Sequence, residues 1–189
     1  VAAPQGSNVL QDRPELLGEV EVILSGWGPA KLTEQFLAAA PALRLVLYGA
    51  GSVRPLVTEA SWRRGVRIVS AWGANAIPVA EFTLSQILFC LKQGYRGIGQ
   101  RHGAENCTFD RDSVVGAYGS TVGIISLGMI GRRVAELLRG FEVSVLAYDP
   151  YVDDAHAAEL GVRLVPLEMV FEKSDVVSRA STREPVSER

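Results

Sequence analysis

The chain is poor in the residues that usually advertise chemistry: its 189 positions include two cysteines, two histidines and two methionines. Cys90 and Cys107 offer neither a disulfide framework nor a cysteine-rich zinc site. Cys90 lies in the apolar run ILFCL and is expected to pack as a small hydrophobe. A basic excess is also missing. Nineteen Lys and Arg against 21 Asp and Glu give a net charge of −2, so the footprint of a nucleic-acid partner is absent and the pair Arg132–Arg133 is too small to supply one. No long uncharged run occurs either. The most apolar segment, IPVAEFTLSQILFCL (77–91), carries Glu81 and falls short of a membrane span. The start, VAAPQGSNVL, lacks the basic region and apolar stretch of a signal peptide. Lacking an initiating Met, the chain is expected to begin inside a longer reading frame. A reducing cytoplasm fits these absences best, with no nucleic acid, membrane or metal as partner.

What is present is a folding pattern. Apolar residues make up 48% and charged residues 21%, the balance of a folded protein. Short β-branched runs alternate with helical ones. VEVIL (20–24), LRLVLY (43–48) and VRIVS (66–70) are predicted strands, with helices over KLTEQFLAAA and over PLVTEASWRRG, the latter ending at Gly65. Such order indicates a parallel sheet covered on both faces. A long helix is expected from Pro78 to Tyr95, Pro suiting its first turn. Its apolar residues Val79, Phe82, Leu84, Ile87, Leu88, Phe89 and Leu91 cover more than one face, which suits packing between units or at a subunit interface. A polar connection follows over 97–120. The alternation then resumes: strand TVGIIS (121–126), helix Met129–Arg139, strand VSVLAYD (143–149), helix DDAHAAELG (153–161), then VRLV, LEMVF and SDVVS. The last stretch, 179–189, reads as an irregular tail.

The stretch GIISLGMIG (123–131) holds the second and third glycines of G-x-G-x-x-G as Gly128 and Gly131, with Ser126 in the first place. It follows an apolar strand and opens an amphipathic helix, and Asp149 ends the next strand 18 positions after Gly131. That context is the dinucleotide-binding arrangement. Gly128 would let the backbone approach a pyrophosphate, Gly131 would let the helix press on the strand, and N–H groups at the helix start would hold the phosphates. Asp149 would accept hydrogen bonds from the adenine ribose and repel a 2′-phosphate, favouring NAD over NADP. A side chain at Ser126 costs on the order of 1 kcal/mol in backbone strain. The competing reading is a strand-to-helix turn with no ligand. A flavodoxin-like module for some other phosphate ligand is a further alternative, although no FMN-type loop is visible.

Three stretches together resemble the D-isomer-specific 2-hydroxyacid dehydrogenases: LVLYGAGSV (45–53), GANAIPVAEFTL (73–84) and TVGIISLGMIGRRVAELLRGFEVSVLAYDPY (121–151). The middle one is similar to the family's N-x-x-S-V-A-E signature with Pro78 in place of Ser. The resemblance spans roughly residues 20 to 178. It implies an α/β protein of two parallel-sheet units: part of a flavodoxin-like substrate domain (1–76), an interface helix (77–96), the connection (97–120) and the first half of an NAD-binding Rossmann domain (121–178). The family's active site lies in the cleft between the domains.

By that resemblance, Ala50, Gly51 and Ser52 offer N–H groups to a substrate carboxylate and Asn75 orients the substrate. Val79, Ser126, Leu127, Gly128, Met129, Ile130, Gly131, Asp149 and Pro150 would contact NAD. Ala50–Ser52 also reads as an ordinary turn, and Asn75 as a cap of the long helix. The implied reaction is reversible hydride transfer between NADH and a 2-keto acid, in a homodimer. Reduction of a ketone needs a proton donor and a cation for the carboxylate. In the family these are a His paired with a carboxylate and an Arg, all beyond the matched stretch, and neither His102 nor His156 falls at such a position. The chain is therefore expected to be a truncated, frame-shifted or naturally shortened form, inactive alone. The alternative is a non-catalytic NAD-binding or interaction protein derived from the family.

Overall fold

The computed structural model describes residues 8–102, 112, 114 and 116–180, and chain contacts divide them into two units, Val1–Asn75 and Ala76–Arg189. After a short helix α1 (Val9–Asp12) and a 3-10 turn, the first unit runs β1 (Val22–Ser25), α2 (Glu34–Ala39), β2 (Leu45–Tyr48), α3 (Glu59–Arg63) and β3 (Arg67–Ser70). The strands are parallel in the order β1-β2-β3. Helix starts are fixed by hydroxyl caps. The Thr33 hydroxyl accepts from the Phe36 N–H, and Thr58 and Ser61 form a reciprocal capping box. Because Thr58 takes the cap, α3 begins at Glu59, and residues 55–57, expected to be helical, lie outside it.

Phe36 and Leu37 from α2 pack with Val46, Tyr48, Leu56 and Val66 in the first core. The opposite sheet face differs from expectation. Leu24, Leu47 and Val69 stand in register across the three strands, yet they are 71%, 38% and 54% exposed. The reason is topological. Right-handed crossovers that step in one direction place both helices on one face, and only a reversal of direction covers the other.

The second unit contains that reversal. It runs β4 (Thr121–Ile125), α6 (Met129–Leu138), β5 (Ser144–Tyr148), α7 (Asp154–Glu159), β6 (Arg163–Leu164), α8 (Leu167–Lys173) and β7 (Val176–Arg179). All pairings are parallel, in the order β6-β5-β4-β7. This is the 3-2-1-4 order of the first half of a doubly wound sheet, and it changes direction between β4 and β7. The α8 side is packed tightly: a Cβ on Gly123 would meet Val170 Cγ1 at 2.7 Å and Ser174 Oγ at 2.6 Å. Val122, Ile124, Leu127, Val134, Leu138 and Ala147 form the core together with Ala80, Ile87 and Leu91 of α4 (Trp72–Leu91).

Helix α4 starts six residues before Pro78, with Asn75 N–H bonded to the Ala71 carbonyl. Pro78 therefore sits inside the helix and leaves the Ala74 carbonyl without its i→i−4 donor. Taking in residues 72–77, the helix runs 20 residues to Leu91 and contains an 18-residue stretch with a mean hydropathy of 1.4, enough to cross a membrane by length and composition. Three of its residues instead belong to the core of the second unit. Cys90 is exposed rather than packed, because it turns away from the Ala80–Ile87–Leu91 stripe. Gln93, at φ 52°, ends the run, and a separate helix α5 (Gly94–Arg101) occupies the start of the expected connection. Residues 103–111 of that connection, with Cys107, lie outside the described residues, as do 1–7 and the tail from 181.

Candidate cofactor site

The glycine loop joins β4 to α6 at the carboxyl end of the sheet, beside the β4–β7 reversal. That is where open α/β sheets leave a crevice for ligands. Ser126 lies at φ 79°. The first loop position therefore demands the left-handed region that glycine adopts freely, and serine occupies it at a cost. The conformation is held from both sides: the Ser126 N–H donates to the Tyr148 carbonyl at 2.9 Å, and the Ala180 N–H donates to the Ile125 carbonyl at 3.0 Å.

Gly128 is the N-cap of α6, and its carbonyl accepts the first helical bond from Arg132 N–H at 2.9 Å. The N–H groups of Met129, Ile130 and Gly131 precede that bond, so they face the loop end of the helix. A Cβ on Gly128 would meet only Ser126 Oγ at 3.7 Å, which leaves its front open to a ligand. A Cβ on Gly131 would overlap the Ser126 carbonyl oxygen and reach Ala180 at 3.4 Å. The first turn of α6 has no acid, so nothing there opposes an anion at the positive end of the helix dipole.

Asp149 follows β5 and is half-buried. Its Oδ2 accepts from the Leu127 N–H at 2.7 Å, and its Oδ1 accepts from the Tyr151 N–H at 2.9 Å. A carboxylate has about four lone-pair sites, so two remain for the vicinal hydroxyls of a ribose. The residues thus fit a dinucleotide: open backbone at Gly128, free helix-end donors, and a carboxylate tied to the same loop. Val79 lies half-buried on α4, and Pro150 is exposed next to Asp149.

Sequence reasoning missed Arg132. Its Nε donates to the Leu127 carbonyl at 2.8 Å. Nothing in the pattern marks it, because an Arg in the first turns of a helix reads as a solvated side chain.

In the first unit, Ala50, Gly51 and Ser52 follow β2 at the carboxyl end of its sheet, with Ala50 fully buried and Ser52 exposed. The Gly49 N–H donates to the Ser25 carbonyl at 2.7 Å. Asn75 belongs to the first turn of α4 rather than capping it, and its Nδ2 would lie 3.1 Å from a Cβ on Gly51. The structure brings Asn75 and the Ala50–Ser52 loop together. The two histidines join neither site. His102 ends α5, and His156 bonds through N–H and Nδ1 to the Asp153 cap of α7, at 2.9 and 2.7 Å. That contact lowers the Asp153 pKa, first through the His156 backbone N–H and then through its ring.

Residues 85–187 match the family described as D-isomer specific 2-hydroxyacid dehydrogenase, NAD binding domain. D-3-phosphoglycerate dehydrogenase of Mycobacterium tuberculosis is 34% identical over 146 residues, 76% of this chain and 27% of that one. Its Archaeoglobus fulgidus namesake is 30% identical over 174 residues, 88% of this chain and 32% of that one. The chain thus spans about a quarter to a third of the length of these relatives. Among solved structures, D-lactate dehydrogenase from Aquifex aeolicus complexed with NAD and lactic acid aligns with a TM-score of 0.69 at 26% identity, covering 92% of this chain and 51% of that one. NAD-dependent formate dehydrogenase from Staphylococcus aureus in complex with NAD gives 0.70 and 26%, covering 93% and 53%. The loop geometry, the 3-2-1-4 sheet and these likenesses agree: the chain belongs to the D-isomer specific 2-hydroxyacid dehydrogenases, whose cofactor is NAD.

Proposed function

We propose that the chain supplies the NAD-binding half-sheet and part of the substrate-binding unit of an oxidoreductase that interconverts a 2-hydroxy acid and its 2-keto acid. The bond from the Leu127 N–H to Asp149 carries this reading. It ties the ribose-facing carboxylate to the phosphate-facing loop, so that both halves of an adenosine diphosphate meet one preformed surface. NAD supplies the hydride acceptor, and NADH the donor. The chain's own residues position it: Gly128, Met129, Ile130 and Gly131 present N–H groups to the pyrophosphate, Ser126 and Leu127 shape the turn, and Asp149 takes the adenine ribose. Val79 and Pro150 line the cofactor. Ala50, Gly51 and Ser52 receive the substrate carboxylate through backbone donors, and Asn75 orients the acid. A proton donor for the keto oxygen is not among these residues, and His156 is committed to its helix cap. The 189-residue chain is therefore expected to bind cofactor without turning over.

The setting we propose is cytoplasmic, with a homodimer formed through α4 and α5. The support is a run of exposed apolar side chains, Ile77, Phe82, Phe89, Tyr95 and Ile98, with Phe89 and Tyr95 packed edge to face at 4.9 Å. The same run favours a second reading, a non-catalytic NAD-binding interaction protein. NADH fluorescence titration tests the binding, and Asp149→Ala should weaken it at least tenfold. Turnover of glyoxylate, pyruvate or hydroxypyruvate with NADH by this chain would overturn the reading that it binds cofactor without turning over.

A further inference from the structure

One residue of the cofactor loop, Leu127, is held on the two peptide units that flank its Cα by charged side chains from different elements. The Leu127 N–H donates to the Asp149 carboxylate at 2.7 Å, and the Leu127 carbonyl accepts from Arg132 Nε at 2.8 Å. Negative charge faces the N–H of the Ser126–Leu127 peptide and positive charge faces the carbonyl of the Leu127–Gly128 peptide, and both bonds are of the stronger, charge-assisted kind. The clamped residue lies between Ser126, at φ 79°, and Gly128, whose open face receives the ligand. Rotating the Leu127–Gly128 plane, which Arg132 holds, would swing the Gly128 N–H away from the phosphates, and losing the hold on Leu127 would free Ser126 to relax out of the left-handed region.

Arg132 is exposed and contributes nothing to the core face of α6, which is Gly131, Val134, Ala135 and Leu138. Its fold-level role is therefore small, and the bond to the loop is its distinctive contact. We infer that Arg132 is a positioning residue for pyrophosphate binding, acting with Asp149 to hold Leu127 and the peptides on either side of it in the orientation that a serine at position 126 would otherwise abandon. The inference rests on the NAD-binding reading and adds a residue to it. Arg132 acts through the loop and does not itself have to touch the anion.

The test is a set of NADH and ADP titrations at low temperature, where every variant is folded by circular dichroism. Arg132→Ala should weaken both ligands by about tenfold, the scale of losing one charge-assisted bond. Arg132→Lys should not restore them, since an ammonium keeps the charge but not the Nε geometry. In a Ser126→Gly background, the Arg132→Ala loss should fall to about threefold or less, because glycine holds the turn unaided; that non-additivity marks the coupling. Unchanged ADP affinity in Arg132→Ala, full rescue by Lys, or an equal loss in both backgrounds would overturn the inference while leaving NAD binding intact. If the unaltered chain binds neither NADH nor ADP, the NAD-binding reading itself fails, and the positioning role falls with it.

Discussion

Gly131 lies so close beneath Ser126 that a single added carbon would overlap the Ser126 carbonyl oxygen. The obstacle is backbone, not a flexible side chain, so it cannot step aside without moving β4 or α6. Gly131→Ala is expected to destabilise the second unit by about 2 kcal/mol, the usual cost of overpacking. Urea denaturation followed by circular dichroism measures it. A loss of only a few tenths would mean that the loop yields more easily than its contacts imply.

Ser126 is the opposite case, a side chain where none is wanted. Ser126→Gly removes left-handed strain of about 1–3 kcal/mol and adds about 0.5–1 kcal/mol of chain entropy to the unfolded state. The expected net effect is a gain of up to about 2.5 kcal/mol in urea stability, together with tighter NADH binding. Equal stability and equal affinity would clear Ser126 as the loop's weak point.

The exposed row Leu24–Leu47–Val69 is expected to make the chain associate at high concentration, because an uncovered apolar patch on a parallel sheet buries itself on whatever is near. Leu47→Lys, in the middle strand and already on the exposed face, should shift sedimentation toward the monomer without lowering stability. Unchanged association would move attention to the apolar run of α4 and α5.

The Asp153–His156 cap gives a pH dependence of known sign. The folded pKa of Asp153 lies below its ordinary 3.8, chiefly through the His156 backbone N–H. The cap's contribution is thus fully present above about pH 4 and is lost as pH falls through the depressed value. Because the pair is fully solvated, the effect is small and screened by salt. Asp153→Asn should flatten the acid limb of a thermal-melt pH profile and leave the neutral region unchanged. A difference appearing between pH 5 and 7 would refute the assignment to this carboxylate.

Much of this was legible in the residues. Every strand lay within a residue or two of its apolar run, because β-branched clusters bounded by Gly and Pro leave little latitude. Helix starts were less readable. Pro78 suggested a beginning, but the helix runs through it, since Ala76, Ala80 and Ile87 are buried along its length and packing outweighs one missing bond. Asn75 illustrates the same limit: its place in the first turn, beside Gly51, depends on where the helix starts. The bare face of the first sheet was illegible, because alternation along a strand does not say which side the crossover helices take. Arg132 was hidden for a different reason. Its contact is with a backbone carbonyl, which no pattern of side chains records.

The order β6-β5-β4-β7 also sets a sequence of events. Strand β4 is made early, yet its second neighbour, β7, arrives only after three helices and two strands have been added. A folding intermediate containing β4, β5 and β6 would already own the glycine loop and Asp149, but one wall of the crevice would be missing, and Ala180 would not yet hold the Ile125 carbonyl. Nucleotide affinity would then develop late, as the final strand docks, and ADP could serve as a kinetic reporter of that docking.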